Sequence, residues 1–320
     1  MALPGRPKRV FSSTSVPKAV AYRPHEGKLG IITGGSRGIG AAISRNLAAK
    51  GCSLLLVYTS DSSTEPTNAL CAELSSEHDI HCVSVQADLA DPTRSAPLIL
   101  ATAKNHFSHP RTGAFQVDII VNNAGIAGNK LLNDPELGPI EETQFQKQYN
   151  VNVLAPLLLV QACQPYLPKD RSGRIVNLSS VSASIGCESQ SIYAGTKAAL
   201  EAMTRVWARE LAENCTVNAI NPGPVWGDMY SQAGEGFWKT NQKYVDSAPL
   251  MTYSGDDEIR ARAGIDPKEY DDMVLNGMGG KRPAFPDEIA GVVGMLCAPE
   301  SGWTTGSVIS ANGGMKMSIA

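Results

Sequence analysis

The sequence predicts an α/β fold built on one doubly wound parallel sheet with helices on both faces. Two patterns carry this prediction: short apolar runs of strand length recur along the chain, and longer segments with apolar residues at helical spacing separate them. Seven strands are predicted, at 29–33, 53–58, 81–86, 117–121, 174–178, 216–220 and 307–310. Six helices are predicted between them, at 38–50, 64–77, 92–107, 141–167, 190–213 and 286–297.

The alternation favours right-handed β–α–β units, which cover both faces of a parallel sheet with helices. Seven strands with six intervening helices predict a Rossmann-type sheet in a single domain that spans residues 28–320. One segment, 224–281, has no strand signal and carries aromatic residues followed by an acidic stretch from Asp256. An insertion of this length in a compact domain is usually a lid or a binding loop, so we expect a substrate lid there.

The composition of the 320 residues argues against several classes of function. Hydrophobic residues make up 42 % of the chain, which is ample for a core, and the net charge of −3 does not favour a nucleic-acid or anionic-membrane surface. No apolar run reaches the roughly 18 residues that a membrane span needs. Seven cysteines without a C-x-x-C pair are typical of a reduced intracellular protein. We therefore expect a cytoplasmic protein with no nucleic-acid or membrane partner.

Residues 1–27 form a basic leader with a composition of its own. Up to residue 25 the leader carries five Lys and Arg residues, no acid, and several Ser and Thr. This composition resembles a mitochondrial presequence, which leaves the mitochondrion as the alternative location. Prolines at positions 4, 7, 17 and 24 would interrupt an amphipathic helix, so we expect the leader to be disordered.

The motif TGGSRGIG follows the first predicted strand, and it fits two chemistries. The five residues from Gly34 fit G-x-S-x-G, the turn that presents a nucleophilic serine in hydrolases, here Ser36. Gly34, Gly38 and Gly40 fit instead a turn whose backbone approaches a dinucleotide pyrophosphate at a helix N-terminus. A hydrolase with this order of motifs needs a histidine late in the chain, and the last of the five histidines is His109. The dinucleotide interpretation is therefore favoured.

Tyr193 and Lys197 lie four residues apart on the predicted helix 190–213, which places both side chains on one helix face. A nearby ammonium stabilises a phenolate and lowers the pKa of a tyrosine from its usual value of about 10. Of the nine tyrosines, only Tyr193 has a lysine four residues later. Tyr193 is therefore a candidate general acid or base.

Four motifs occur in a fixed order: TGGSRGIG, then NNAG at 122–125, then Ser180 thirteen residues before Tyr193, then NPG at 221–223. In this combination the sequence resembles the short-chain dehydrogenase/reductase family, in its single-domain branch. Within that branch it is similar to 3-oxoacyl-[acyl-carrier-protein] reductases and fungal-type carbonyl reductases. The resemblance covers about residues 28–225 and 281–314. It implies hydride transfer between a nicotinamide cofactor and a carbonyl substrate, by a homotetramer or homodimer.

The resemblance also implies a role for each matching catalytic residue. Tyr193 would deliver a proton to the carbonyl oxygen of the substrate, and Ser180 would hydrogen-bond and polarise that oxygen. Lys197 would lower the pKa of Tyr193 and hold the ribose hydroxyls of the nicotinamide. Asn152 would hold a water in the proton relay, although it could also mark a kink in its helix. Ser179 is a second candidate hydroxyl, but its spacing to Tyr193 does not fit the motif.

The implied cofactor site joins the ends of several strands. Its residues are Thr33, Gly34, Ser36, Arg37, Gly38, Ile39, Gly40, Tyr58, Thr59, Ser60, Asp88, Leu89, Asn123, Ala124, Gly125, Tyr193, Lys197, Pro222, Gly223 and Val225. Asp88 fits the position that bonds the adenine amino group, although it could simply be an acid that starts a helix. The family often carries a threonine where this chain has Gly227, so a hydrogen bond to the nicotinamide carboxamide is missing from the pattern.

The end of the second strand predicts NADPH as the cofactor in preference to NADH. An acid there would accept the ribose hydroxyls and repel a 2′-phosphate, but Tyr58 stands in its place. Arg37 is placed to pair with a 2′-phosphate, and the hydroxyls of Thr59 and Ser60 can hydrogen-bond it. Asp61, three residues after Tyr58, argues the other way.

The lid predicts a bulky, apolar carbonyl substrate, such as a 3-oxoacyl thioester or an aromatic polyketide-type compound. The side chains that favour this are Trp226, Met229, Tyr230, Phe237, Trp238 and Tyr244. The same rings could instead pack the lid against its own core or fill a subunit contact. A non-catalytic nucleotide-binding scaffold and a serine hydrolase stay as alternative functions. No metal site is predicted, because the histidine pairs 78/81 and 106/109 lack a cluster of cysteines or carboxylates to complete them.

Overall fold

The computed structural model describes residues 22–317, so residues 1–21 of the predicted leader lie outside the described residues. The strands are β1 (Leu29–Thr33), β2 (Ser53–Tyr58), β3 (Cys82–Gln86), β4 (Ile119–Asn122), β5 (Asn133–Asp134), β6 (Gly138–Pro139), β7 (Gly173–Leu178), β8 (Cys215–Pro222) and β9 (Val308–Ala311). Seven of them form the main sheet in the order β3-β2-β1-β4-β7-β8-β9. The predicted seven-stranded parallel sheet is confirmed. Strands β5 and β6 pair separately as an antiparallel ribbon that sequence analysis missed.

Helices cover both faces of the sheet. They are α1 (Gly38–Ala48), α2 (Thr64–His78), α3 (Pro92–Phe107), α4 (Glu142–Tyr149), α5 (Ala155–Cys163), α6 (Ser182–Ile185), α7 (Ser191–Glu210), α8 (Asp228–Ser231), α9 (Gly234–Val245), α10 (Asp257–Ala261), α11 (Pro267–Asp271) and α12 (Pro286–Cys297). Buried residues of α3, α5 and α7 share one core with Ile31 of β1. Those of α1, α2 and α12 share the other with Ile32. Among residues 22–317, no helix is long and apolar enough to cross a bilayer.

The order of the strands places a crevice beside β1. This strand pairs in parallel with β2 on one side and β4 on the other, so the chain changes its direction of winding between them. At such a switch point the loops that follow the two neighbouring strands diverge, and ligands bind outside their carboxyl ends. The glycine-rich motif follows β1 and the NNAG segment follows β4, so both flank the crevice.

The helix predicted at 141–167 is not continuous. A π-helical turn, Asn150–Leu154, separates α4 from α5. Pro156 stands in the first turn of α5, and a proline has no N–H to donate to the preceding turn, which accounts for the break. Asn152 lies in this π-helical turn.

The lid comprises helices α8 to α11, which pack around a hydrophobic core that is separate from the two cores of the sheet. Tyr270 is fully buried, and the rings of Trp226 and Tyr253 meet it edge-on with centroids 5.0 and 5.5 Å away. Trp238 is also buried, and its Nε1 donates to the carbonyl oxygen of Tyr230 at 3.0 Å. Several of the predicted substrate-lining rings therefore stabilise the lid itself, which is the alternative that sequence analysis left open.

Aspartate side chains cap the N-termini of two lid helices, α10 and α11. The Asp256 carboxylate accepts the N–H of Ile259 at the start of α10. The Asp266 carboxylate accepts the N–H groups of Lys268 and Glu269 at the start of α11, directly before a proline that fits the first helical position. The acidic stretch of the sequence is thus a set of helix starts.

Residues that precede the predicted domain boundary at residue 28 also contact the sheet domain. The N–H of His25 donates to the carbonyl oxygen of Lys50 at 3.0 Å, and the His25 side chain is fully buried. The guanidinium of Arg23 donates to the carbonyl oxygen of His78 at 2.8 Å. Residues 22–27, the last part of the predicted leader, therefore pack against the ends of α1 and α2.

Candidate active site

A cavity of about 770 Å³ lies at the carboxyl ends of the strands, at the crevice beside β1 and β4. Its walls come from the glycine-rich turn, the loops after β2, β3, β4 and β7, helix α7, the end of β8 and the lid. The residues predicted for catalysis and cofactor binding line this cavity, with two exceptions, Thr33 and Asn152. One cavity thus brings together side chains that are far apart in the sequence.

Thr33 lies behind the wall and holds two of its loops together. Its hydroxyl oxygen accepts the N–H groups of Asn123 and Ala124, both at 3.1 Å. In return, the side-chain amide of Asn123 donates to the carbonyl oxygens of Thr33 and Gly34 at 2.8 and 3.1 Å. These bonds fix the glycine-rich turn to the NNAG segment, so Thr33 and Asn123 shape the cavity floor.

The glycine-rich turn has room for main chain only. Gly34 adopts a φ of +64°, which side chains rarely tolerate. A Cβ at Gly40 would lie 2.0 Å from the carbonyl oxygen of Gly34, so any side chain there would disrupt the turn. The bare backbone leads into the N-terminus of α1, where free N–H groups and the helix dipole attract an anion. This cradle fits the pyrophosphate of a dinucleotide.

The loop after β2 presents neutral groups to the cavity. Tyr58, Thr59 and Ser60 line it. The carboxylate of Asp61 instead accepts a hydrogen bond from the Gln86 amide at 2.6 Å. The acid that argued against a 2′-phosphate is therefore engaged outside the wall.

Arg37 stands at the mouth of the cavity and reaches across to the lid. Its guanidinium pairs with the Asp228 carboxylate at the start of α8, at 3.0 Å, and both side chains are exposed. Exposed ion pairs of this kind are weak, so Arg37 stays available to a competing anion.

Asp88 and Leu89 continue the wall after β3. The Asp88 carboxylate accepts the N–H of Ala90 at 2.9 Å. Helix α3 begins at Pro92 after Asp91, so Asp88 does not start that helix. Its exposed carboxylate faces the same cavity as the glycine-rich turn.

The catalytic candidates meet between β7 and α7. Ser180 follows the end of β7, and its hydroxyl oxygen accepts the N–H of Ser182 at 3.2 Å. The neighbouring Ser179 donates to the Glu201 carboxylate at 2.6 Å, so its hydroxyl is already engaged. Lys197 is only 3 % exposed, and its ammonium donates to the carbonyl oxygen of Leu178 at 2.6 Å. Both serines line the cavity, and the Ser180 hydroxyl, which donates to the Ser182 hydroxyl at 3.1 Å, also hydrogen-bonds Tyr193.

Burial controls the pKa of both members of the Tyr193–Lys197 pair. It raises the pKa of Tyr193 above its ordinary value of 10.0, and a hydrogen bond with Ser180 offsets part of this rise. It lowers the pKa of Lys197 to about 8, because an ammonium removed from water loses its hydration. The direction at Tyr193 is opposite to the lowering that sequence analysis expected, since Lys197 Nζ lies 5.7 Å from the Tyr193 ring centroid and burial dominates. A phenol of this kind keeps its proton at neutral pH.

Asn152 lies behind the catalytic pair, in the π-helical turn. Its side chain is 1 % exposed and exchanges two hydrogen bonds of 2.9 Å with the backbone of Ile126. Its amide nitrogen also donates to the Thr196 hydroxyl at 3.0 Å. The side chain thus joins the loop after β4 to helix α7 and has no spare donor for a water.

The end of β8 leads into the lid through Pro222, Gly223 and Val225, which all line the cavity. The N–H of Gly223 donates to Ala311 at 3.3 Å, and Val225 bridges to Ala284. Gly227 follows with a φ of +147°, a conformation that L side chains rarely adopt. A threonine would be strained in this conformation.

The hydrolase interpretation fails on geometry. Ser36 does line the cavity, but all five histidines lie within residues 22–317 and none of them lines it. Within the same residues, no cluster of His, Cys, Asp and Glu could hold a metal ion. Ser36 therefore has no histidine base to activate it.

Three side-chain amides of the wall were missed by sequence analysis: Asn129, Gln190 and Asn241. Gln190 precedes α7 and lies three residues before Tyr193, whereas Asn241 lies on lid helix α9. No motif marks them. The only sequence signal was at Asn241, a polar residue among apolar ones at a spacing of four.

Comparisons with known proteins agree with this geometry. The family model described as short chain dehydrogenase matches residues 28–236. The L-xylo-3-hexulose reductase of Hypocrea jecorina is 61 % identical over 93 % of this chain and 99 % of its own length. The L-xylulose reductase of Aspergillus niger is 55 % identical over 92 % of this chain and 99 % of its own.

A solved structure agrees as well. A blue fluorescent protein from a metagenomic library, crystallised in complex with NADPH, superposes with a TM-score of 0.72 at 31 % identity. The superposition covers 92 % of this chain and 100 % of that protein. From the match to the family model, the relatives and the shared fold, the chain belongs to the short-chain dehydrogenase/reductase family and is an oxidoreductase.

Proposed function

We propose that this protein reduces the carbonyl group of a ketose to a secondary alcohol with NADPH. The observation that carries the proposal is that Ser180, Tyr193 and Lys197 line one cavity with the glycine-rich turn. When bound, the nicotinamide cofactor supplies a hydride to the carbonyl carbon. The hydroxyl of Tyr193 supplies the proton to the carbonyl oxygen, so that C=O becomes CH–OH and NADP⁺ is left.

Each residue of the set has a proposed part in this transfer. Tyr193 is the general acid, and its raised pKa keeps the phenol protonated until the carbonyl oxygen gains charge. Ser180 hydrogen-bonds that oxygen. Lys197 stabilises the phenolate that forms when Tyr193 gives up its proton, and it holds the ribose hydroxyls of the cofactor. For Asn152 we propose a positioning role, since its side chain is fully hydrogen-bonded to Ile126 and Thr196.

The preference for NADPH is proposed from the groups around the adenosine end. Arg37 would release its exposed partner Asp228 and pair with the 2′-phosphate instead. The hydroxyls of Thr59 and Ser60 would add hydrogen bonds, and Asp61 is held by Gln86. The structural relative in complex with NADPH supports the same choice.

The ketose substrate is proposed from two observations. Relatives that share 61 % and 55 % of their residues with this chain are named for the reduction of L-xylo-3-hexulose and L-xylulose. In addition, Trp238 belongs to the lid core and does not line the cavity, whereas the polar side chains of Asn129, Gln190 and Asn241 do. A bulky, apolar ketone or 3-oxoacyl thioester stays as the second candidate, because Trp226, Met229 and Phe237 still line the wall.

A substrate panel tests the proposal. The loss of NADPH absorbance would be followed with L-xylulose, L-xylo-3-hexulose, a 3-oxoacyl thioester and an aromatic ketone. We expect kcat/KM to be at least about tenfold higher for a ketose than for either apolar compound. A higher value for the thioester or the aromatic ketone would favour the second candidate. Turnover of none of them would favour a non-catalytic nucleotide-binding scaffold.

The assembly and the location stay predictions. We propose a homotetramer or homodimer, supported by the apolar side chains that α4 and α7 expose, Phe145 at 43 % and Val206 at 51 %. Light scattering at micromolar concentration should then detect no appreciable monomer. We propose the cytoplasm as the location, and imaging of the chain with and without residues 1–21 would distinguish it from the mitochondrion.

A further inference from the structure

Two amides in the cavity wall each keep a buried oxygen without a hydrogen-bond partner. They are Gln190 Oε1 and Asn241 Oδ1, and each residue is only 6 % exposed. Leaving such an oxygen unpaired costs folding free energy, so native proteins normally satisfy it. Both residues line the cavity, so a side-chain rotation that turned either oxygen toward the cavity would let a ligand there supply the missing donor.

Gln190 is held in place on the catalytic side. Its amide nitrogen donates to the Asn129 side-chain oxygen at 3.0 Å. The loop that carries Asn129 is tied to the same segment, since the N–H of Lys130 donates to the carbonyl oxygen of Ser189 at 2.8 Å. Ser189 adopts a φ of +65°, an uncommon conformation for a residue with a side chain. The nitrogen of Gln190 is thus occupied, and its oxygen is left for another donor.

Asn241 is held on the lid side. Helix α9 and the residue before it turn Ala233, Phe237, Asn241 and Val245 toward the cavity, at a spacing of four residues. Asn241 is the one polar side chain in this stripe. Its amide nitrogen donates to the carbonyl oxygen of Phe237 at 2.9 Å, which leaves the oxygen free. Packing alone would favour an apolar residue at this position.

We propose that Gln190 and Asn241 determine substrate specificity by accepting hydrogen bonds from the hydroxyl groups of the ketose. This inference rests on the proposed function and extends it to named recognition groups. A hydroxylated chain can donate to an acceptor beside the catalytic helix and to another on the lid. An apolar ketone has no donor and would leave both oxygens buried and unpaired, so the site rejects it.

Two substrates separate recognition from catalysis. L-Xylulose carries hydroxyl groups along its chain, whereas 2,3-pentanedione has the same number of carbons, no hydroxyls, and a carbonyl activated by its neighbour. Wild type, Gln190→Leu and Asn241→Leu would be compared on both, with Gln242→Leu as a matched control. Gln242 lies beside Asn241 on α9, but its amide donates to Asp246 at 2.8 Å and it does not line the cavity.

Each of the two cavity variants should lower kcat/KM for L-xylulose by at least about tenfold and change it for the dione by less than about threefold. The control should leave both values near wild type. An equal loss on both substrates, or no loss on either, would overturn the inference while leaving the proposed function intact. A wild-type protein that reduces the dione but not L-xylulose would overturn the proposed substrate class and this inference with it.

Discussion

The sheet and the lid differ in the kind of side chain that forms their hydrophobic cores. The sheet buries aliphatic residues that alternate between two cores, as Ile31 and Ile32 do. The lid builds one small aromatic core around Tyr270, with short helices capped by Asp256 and Asp266. The predicted cofactor groups lie mostly in the segments that follow the strands, whereas a separately packed unit supplies part of the cavity wall.

This difference suggests a division of labour. Residues on the sheet side are expected to control cofactor binding and the chemical step. Residues of the lid are expected to control which carbonyl compound is accepted. Variants on the two sides should then affect different kinetic constants.

The largest effect is expected at Tyr193. Tyr193→Phe removes the proton donor and should lower kcat by at least about 100-fold, with little change in the Kd for NADPH. Tyr244→Phe is the matched control, because its hydroxyl donates to the Gly186 carbonyl and it does not line the cavity. Steady-state kinetics and fluorescence titration of NADPH measure both quantities. Retained turnover in Tyr193→Phe would refute the assignment of the general acid.

A smaller effect is expected at Arg37, also on the sheet side. Arg37→Ala should lower kcat/KM with NADPH by about 10- to 100-fold, because a hydrogen-bonded charge partner of the 2′-phosphate is lost. The value with NADH should change little. Arg94→Ala is a suitable control, as this exposed arginine does not line the cavity. Equal losses with both cofactors would show that Arg37 acts through the fold or the lid.

The pH dependence should reflect Lys197. Its pKa is lowered by burial to about 8, so the ammonium is present below that pH and is lost above it. The raised pKa of Tyr193 keeps the phenol protonated over the same range. We expect kcat/KM for reduction to fall above about pH 8 with a slope that approaches tenfold per pH unit. A profile that stays flat to pH 10 would contradict this role of Lys197.

The smallest of the kinetic effects is expected in the lid. Trp238→Ala removes a buried ring from the lid core and should raise KM for the ketose by about five- to tenfold, because the substrate wall loses its support. The Kd for NADPH should stay within about twofold of wild type. If cofactor affinity fell as much as ketose affinity, the lid and the sheet would not be separable units.

Much of the sheet side could be predicted from the sequence, because its signals are local or repeated. The bounds of β1 and β2 follow from apolar runs of strand length, and the TGGSRGIG motif sets the turn after β1. Helical spacing related Tyr193 to Lys197, and the resemblance to the family related Ser180 to Tyr193. The residues predicted for the cofactor site line one cavity, with the exception of Thr33.

The rest depended on tertiary contacts. Nothing local in the sequence indicates that the Asp61 carboxylate turns to Gln86 or that burial raises the pKa of Tyr193. The aromatic residues of the lid predicted a substrate surface, but whether a ring such as Trp238 faces the cavity or the lid core is decided by how the short helices pack. Gln190 was missed because it belongs to no motif, and its burial in the cavity wall is visible only in the folded structure.

Hydrogen–deuterium exchange with bound ligands tests the division between sheet and lid most directly. The protein alone would be compared with its NADP⁺ complex and with NADP⁺ plus xylitol, a polyol formed when L-xylulose is reduced. We expect NADP⁺ to slow exchange in peptides that cover 33–40 and 122–125, and xylitol to slow it further in those that cover 234–245. Protection of the lid peptides that is complete with NADP⁺ alone, or absent with xylitol, would contradict the account.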